Sequence, residues 1–271
     1  MEKEKIKKIL KIVLVVFVVL IALAFWYEKD FYFLEDEDDL AGLPCYKSYD
    51  VATIEIKGEI VPYFVYMPAA DASGDSGSSD AVSSEEVIDC IDDIKQDGNI
   101  KTVILEINSY GGSPVASEEI MNAIKGLSKP SIAVIREAAT SGGYLIASAT
   151  DRIFASELSD IGGIGVTMSY LDYSKQNSRD GITYNELSSA KFKNTGDSDK
   201  PLTAEEKALI QRDLKILHEA FVKNISKNRK LDISKVEKLA DGSSMLGQMA
   251  KENGLIDEIG DRNSAEEWIN R

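Results

Sequence analysis

Histidine is nearly absent from this chain of 271 residues: there is one, His218. That excludes a histidine-built metal centre and leaves any serine or cysteine nucleophile almost without its usual base. Cysteine is scarce too. Cys45 and Cys90 are the only two, so the core does not depend on a disulfide framework, although the pair could bridge outside the cell. No group of His, Cys and carboxylates has the spacing of a metal site, and no cofactor is expected. Positive charge is in short supply, 31 Lys and Arg against 46 Asp and Glu, a formal net charge of −15. Binding phosphate needs clustered cations, so nucleic acid is excluded as a partner.

What the chain does have begins with one long apolar run. Lysines at 3, 5, 7, 8 and 11 precede Ile12 to Tyr27, and Ile9 and Leu10 extend the run around Lys11. At ~1.5 Å per residue this stretch is about 28 Å long, close to the ~30 Å hydrocarbon core of a bilayer. Phe25-Trp26-Tyr27 then sit where an interfacial aromatic belt belongs, and the lysines keep the N-terminus cytoplasmic. Ala22-Leu23-Ala24 offers a signal-peptidase site, but three aromatic residues follow it at once, which favours a retained anchor. The expected organisation is a membrane anchor over 1–28, an acidic stalk over 29–48 containing Glu35-Asp36-Glu37-Asp38-Asp39, and an extracytoplasmic domain over 49–271.

Within that domain Tyr49 to Ile56 alternates as a half-buried strand does, and Gly58 to Pro62 reads as a turn. Ala69 to Ser84 is a Ser/Gly/Asp stretch, read as a flexible loop. Glu85-Glu86 open a helix whose face carries Val87, Ile88, Ile91 and Ile94. Strands at Thr102–Ile107, Ser131–Glu137 and Arg152–Ala155 alternate with helices at about Ser113–Lys125 and Ser141–Ala149. Such alternation predicts an α/β domain with a largely parallel sheet and right-handed crossovers. A long helix follows Thr203, with Ile210, Leu214, Leu217, Phe221 and Ile225 as its apolar stripe. His218 lies in it and reads as a surface or packing residue.

The chemistry concentrates at Ala138-Ala139-Thr140-Ser141-Gly142-Gly143-Tyr144, a small-residue turn between strand and helix that presents Ser141. Carboxyl ends of parallel strands converge on one crevice, which would bring Gly111-Gly112 beside Ser141. Their N–H groups and that of Gly142, at a helix N-terminus, could hold an oxyanion, a contribution of roughly 3–4 kcal/mol per donor. Serine needs a base, and without histidine lysine is the leading candidate. A lysine base must be neutral, which takes a drop of about 3 pKa units, usually by burial, and costs about 4 kcal/mol. The search narrows to Lys191-Phe192-Lys193, whose alternation puts both lysines on one side and leaves the choice open.

At this point several motifs in order resemble one family. Asn108-Ser109-Tyr110-Gly111-Gly112-Ser113, Ala139-Thr140-Ser141-Gly142-Gly143-Tyr144, Gly162-Gly163-Ile164-Gly165-Val166, Ala190-Lys191-Phe192-Lys193 and Gly254-Leu255-Ile256-Asp257-Glu258 are similar to those of SppA-type signal peptide peptidases. These are serine peptidases of the S49 family, in its single-domain Gram-positive-like form. The resemblance spans about Tyr49 to Gly260 and implies a ClpP/crotonase-like fold of repeated ββα units behind one transmembrane helix. It implies a Ser-Lys dyad of Ser141 and Lys193, an oxyanion hole of Gly112 and Gly142 with Gly111 as a substitute, and spent signal peptides as substrates. It also implies a homo-oligomeric ring in which serine and lysine come from neighbouring protomers. Tyr110 stands where the family usually has proline, and Ala190 where it has glycine. Gly163 stands where the family often has a serine that orients the lysine. An impaired scaffold of the same fold is the alternative, and a crotonase-like acyl-CoA enzyme is disfavoured by export and by the acidic surface.

Overall fold

The computed structural model describes residues 44–64 and 81–269. The predicted anchor 1–28, most of the stalk and residues 69–80 of the predicted loop lie outside the described residues. Among the described residues no helix is long and apolar enough to cross a membrane. The described residues from Lys47 onward form one compact unit. Both cysteines are disulfide-bonded.

In chain order the elements are β1 (Cys45–Ser48), β2 (Val51–Val61), β3 (Ala81–Ser83), α1 (Ser84–Gln96), β4 (Thr102–Gly112), α2 (Pro114–Lys125), β5 (Ser131–Thr140) and α3 (Gly142–Ala147). There follow β6 (Arg152–Ala155), β7 (Asp160–Gly162), α4 (Ser174–Arg179), α5 (Ala204–Arg229), α6 (Ile233–Leu239), β8 (Ser244–Leu246), α7 (Gly247–Asn253), β9 (Glu258–Ile259) and α8 (Arg262–Ile269). From β2 outward the strands run β2-β4-β5-β6-β9, all parallel. β3 pairs with the end of β2 and β7 with the end of β5, while β8 lies antiparallel on β7, so the sheet is mixed.

The continuous apolar run in β4 follows from burial of both sheet faces. Ile104, Ile132, Val134 and Phe154 pack on one face against Ala265, Trp268 and Ile269 of α8. The other face is covered by α1, through Val87, Ile91 and Ile94, and by α2, through Ile120, Met121 and Ile124. Helix starts are set locally. Ser83 accepts from the Glu86 N–H ahead of α1, Ser113 caps α2 with Pro114 behind it, and Thr203 with Glu206 forms a full capping box on α5.

Four sequence expectations need correction. β2 does not turn at Gly58; it continues to Val61, with Gly58 (φ 73°) absorbing a bulge between Lys57 and Glu59. β4 and β5 run on past Ile107 and Glu137 to Gly112 and Thr140, because β2 and β7 continue to pair with them there. The predicted loop 69–84 ends inside regular structure: Ala81–Ser83 form β3 and Ser84 opens α1. On α5 only the second half of the apolar stripe is buried, at Phe221 and Ile225, while Leu217 is 39% exposed.

The end of α5 is fastened by a side-chain clamp. Arg229 donates two hydrogen bonds to Asp257 (3.0 and 2.9 Å) and one to the Gly254 carbonyl (3.2 Å), and Asp257 also accepts from the Ile153 N–H of β6 (2.8 Å). The Arg229 side chain is only 8% exposed, so removing its partner strands a buried charge. Asp257→Ala is therefore expected to destabilise the fold by about 3 kcal/mol, seen as a lower urea midpoint at unchanged slope.

Candidate active site

β5 delivers Ser141 to the first position before α3. Its backbone, φ 51° and ψ −123°, belongs to neither strand nor helix. A non-glycine residue held there costs about 1–3 kcal/mol and persists only if its surroundings fix it. Three contacts do so. The Ser141 N–H donates to the Gly162 carbonyl of β7 (2.8 Å), and the Ser141 carbonyl accepts from the Leu145 N–H (3.0 Å). Behind it every residue of α3 is buried, and the Tyr144 hydroxyl donates to the Leu255 carbonyl (2.8 Å). Burial pushes the Tyr144 phenol well above its ordinary range, so that donor proton stays in place. Ser141 itself is half-buried.

The end of β4 closes on this turn at distances that only glycine permits. A Cβ on Gly111 (φ 107°) would lie 2.8 Å from the Ser141 Cβ, 2.9 Å from the Gly142 nitrogen and 3.1 Å from the Ser141 Oγ. A Cβ on Gly142 would lie 2.2 Å from the Ser117 Oγ of α2. The bare backbones of Gly111 and Gly142 thus pack against each other, with the Ser141 side chain and Ser117 of α2 closing in around them. Two N–H groups are left over. In α3 the first intrahelical donor is Leu145, so the Gly142 N–H has no helical partner. In β4 the Ser113 N–H donates to the Ile60 carbonyl (2.7 Å), so by strand alternation the Gly112 N–H turns away from β2, toward β5 and Ser141.

Ser141 lies where two clefts meet. One, of about 230 Å³, is lined by Gly112, Gly142, Val115, Leu145, Leu217 and Phe221 among others. The second is lined by Tyr110, Asp160, Gly163, His218, Asp241 and Ser244 among others. Thr167 borders both. The structure therefore brings Ser141, Gly111, Gly112 and Gly142 together. It does not bring Lys193 to them.

Lys193 stands in a turn over residues 191–196, exposed, and lines neither cleft. Among the described residues its side chain makes no hydrogen bond or ion pair. Lys191 pairs with Glu205 (2.5 Å). The surrounding excursion, from about 165 to 203, is held to the start of α5 by polar contacts: Lys200 bridges Glu186 (2.8 Å) and Glu206 (3.2 Å), and Tyr184 donates to Asp197 (3.0 Å). Glu186 holds the Lys200 ammonium above its ordinary range, while the Thr203 N–H holds the Glu206 carboxyl below. Met168, Leu171, Ile182, Leu187 and Phe192 are exposed along the excursion.

His218, read as a surface or packing residue, is half-buried and stands on the wall of the second cleft. It still lacks the marks of a triad base: among the described residues it makes no hydrogen bond to Ser141 or to a carboxylate. Gly163 has a backbone reason. Its φ is 56°, and a Cβ there would press to 3.0 Å from the Thr140 Cβ and 3.3 Å from the Ser141 nitrogen. The sequence does not reveal that Leu217, Phe221, Glu118, Asp160 and Asp241 line the clefts; only the stripe containing Leu217 and Phe221 signalled a helix face needing cover.

A serine on a strained strand-to-helix turn, with paired N–H groups beside it on an α/β sheet, is the arrangement of a serine peptidase. The chain belongs to peptidase family S49, whose family model matches residues 123–271. It is 36% identical over 194 residues to an Enterococcus faecium protein named "Putative signal peptide peptidase SppA", covering 69% of this chain and 56% of that one. A "Putative protease" of Methanocaldococcus jannaschii is 33% identical over 180 residues, covering 66% and 58%. Protease 4 of Haemophilus influenzae is 35% identical over 172 residues, covering 62% and 28%. The chain thus matches little more than half the length of the first two relatives. A ClpP1 variant from Listeria monocytogenes shares the fold, with a TM-score of 0.50 and 16% identity over 78% of this chain and 92% of that one.

Because the Gly111 Cα faces the nucleophile, Gly111→Ala is expected to push Ser141 out of position. Peptide hydrolysis should fall by roughly 100-fold or more, the scale set by losing an oxyanion donor, when initial rates are measured with a fluorogenic peptide.

Proposed function

We propose that the protein is a membrane-anchored serine endopeptidase that degrades released signal peptides with a Ser-Lys dyad of Ser141 and Lys193. The observation that carries this reading is the strained turn of Ser141 with the Gly112 and Gly142 N–H groups beside it. As the Ser141 Oγ attacks the scissile carbonyl carbon, the neutral Lys193 amine takes its proton. The oxyanion forms between the two N–H groups. Lys193 then gives the proton to the leaving amine, and water, deprotonated by the same lysine, hydrolyses the ester and restores Ser141.

A lysine can do this only when desolvated. Lys193 is exposed within its own chain, which supports burial by a second copy in a ring whose neighbouring protomers supply the serine and lysine of one site. The apolar side chains exposed around it, from Met168 to Phe192, support such packing. Export is supported by the disulfide state of both cysteines and by the apolar run to Tyr27, which together favour a single-pass anchor, a cytoplasmic N-terminus and an oxidising compartment. The named relative from Enterococcus faecium supports the substrate class.

The second reading, an oligomeric scaffold with impaired chemistry, rests on Gly163, which carries no hydroxyl to orient the lysine. One set of variants separates the two. Ser141→Ala and Lys193→Ala should each abolish cleavage of a signal peptide by the detergent-solubilised oligomer, and Lys191→Ala should retain most of it, as followed by mass spectrometry. Mixing Ser141→Ala with Lys193→Ala should restore activity, since some sites then combine an intact serine with an intact lysine. Full activity in Ser141→Ala would sink the dyad, and an inactive wild-type oligomer would favour the scaffold.

A further inference from the structure

The first cleft beside Ser141 is an apolar slot with a single charge on its rim. Pro114, Val115, Leu145, Val166, Leu217 and Phe221 form its apolar walls, and Glu118 is the one charged side chain among its lining residues. Glu118 reaches the rim because it lies one helical turn beyond Pro114 on the same face of α2. Its neighbour Glu119 is engaged, accepting from the Ser84 hydroxyl at 2.6 Å. Glu118 is exposed and, among the described residues, makes no hydrogen bond or ion pair.

A peptide lying across Ser141 would take water away from this carboxylate. An apolar residue in the slot would then leave a dehydrated and unpaired charge, and an acidic residue would add repulsion. A long basic side chain avoids both, with its methylene stem on the apolar walls and its cationic head at the rim. The second cleft adds Asp160 and Asp241 and no Lys or Arg, with His218 as its one basic side chain, so carboxylates outnumber basic groups along the two clefts.

We propose that Glu118 is a specificity-determining residue which selects substrates carrying lysine or arginine at the residue whose carbonyl Ser141 attacks. The proposal rests on the reading of Ser141 as the nucleophile. It narrows the substrate class to cationic peptides with a basic residue set among small or apolar ones.

The test uses acyl-Ala-Ala-Xaa-aminocoumarin substrates with Xaa as lysine, norleucine or glutamate, so that the attacked residue is fixed by design. For the wild-type oligomer kcat/KM should favour lysine over glutamate by on the order of 100-fold, a ratio that salt reduces. Glu118→Gln should bring that ratio to within about threefold of unity, and Glu118→Lys should invert it. The same three peptides, fluorescently labelled, are titrated against Ser141→Ala by anisotropy, with and without Glu118→Gln. Equal use of lysine and glutamate, or a ratio unmoved by Glu118→Gln, overturns the proposal. Charge-dependent binding by Ser141→Ala with no cleavage by wild type overturns the peptidase reading and leaves the slot assignment standing. Absence of binding by all three peptides overturns both.

Discussion

Everything at the candidate site depends on one close approach of backbones. The end of β4 presents no side chain to the turn after β5, and at Gly111 a methyl group would overlap Ser141. The approach is possible because β4 and β5 extend several residues beyond their central pairing, so that β2 still holds Gly112 through the Ser113–Ile60 hydrogen bond while β7 holds Ser141 through Gly162. Each strand end is fixed from its outer side, and the inner sides face each other across the nucleophile. The unspent N–H groups of Gly112 and Gly142 follow from that geometry and from nothing else: one is the alternate donor of a strand whose partner has ended, the other the first donor of a helix. The strain in Ser141 is the local cost, offset by the buried α3 and the hydroxyl of Tyr144.

The same sheet that assembles the nucleophile leaves the base outside. From about residue 165 the chain departs from the core and returns only at α5, and its ion pairs tie it to the start of that helix rather than to Ser141. The first half of α5 is correspondingly uncovered, Leu217 and Ile216 among the exposed residues. On the proposed reading the uncovered helix, the apolar excursion and the exposed lysine are parts of one surface, which becomes a catalytic environment only when a second copy desolvates it. Desolvation is also what would turn Lys193 from a cation into a base, so assembly and activation become a single event.

The architecture was legible because local signals and burial agree. Uninterrupted runs such as Thr102–Ile107 announce strands buried on both faces, and Ser113 and Thr203 mark helix starts by their own capping chemistry, whereas the cap at Ser83 was hidden in a stretch with loop composition. Strand ends were less legible. Gly58, Gly111 and Gly112 carry the residue type of turns, and only pairing with distant strands makes them part of a bulge and of a strand end that closes on the nucleophile. The turn of Ser141 could be read from its own residues, whereas its cleft could not. Glu118, Asp160, His218, Leu217 and Phe221 come from three separate elements whose convergence is written in no local pattern. Gly163 is the instructive case: as an absent hydroxyl it reads as a defect, and in the fold it is a left-handed residue packed on Thr140.

Net charge sets a limit on how the uncovered surface can be used. At −15 the chain repels its own copies, an effect that is screened beyond ~8 Å at physiological ionic strength and therefore acts mainly at contact. Apolar burial is worth about 25 cal/mol per Å², so the contact has to be made where side chains are apolar and carboxylates are already engaged. The excursion meets the first condition and part of the second. Met168, Leu171, Ile182, Leu187 and Phe192 are exposed along it, Glu186 and Glu206 pair with Lys200, and Asp197 and Asp199 accept from Tyr184, Asn194 and Asn177, while Asp172 and Asp180 stay exposed. The carboxylates lining the two clefts stand apart from this network, and Glu118 in particular has no cation of its own. Like charge is thus partly offset by Lys200 where a second copy would pack, and left open at Glu118 where a basic substrate would enter.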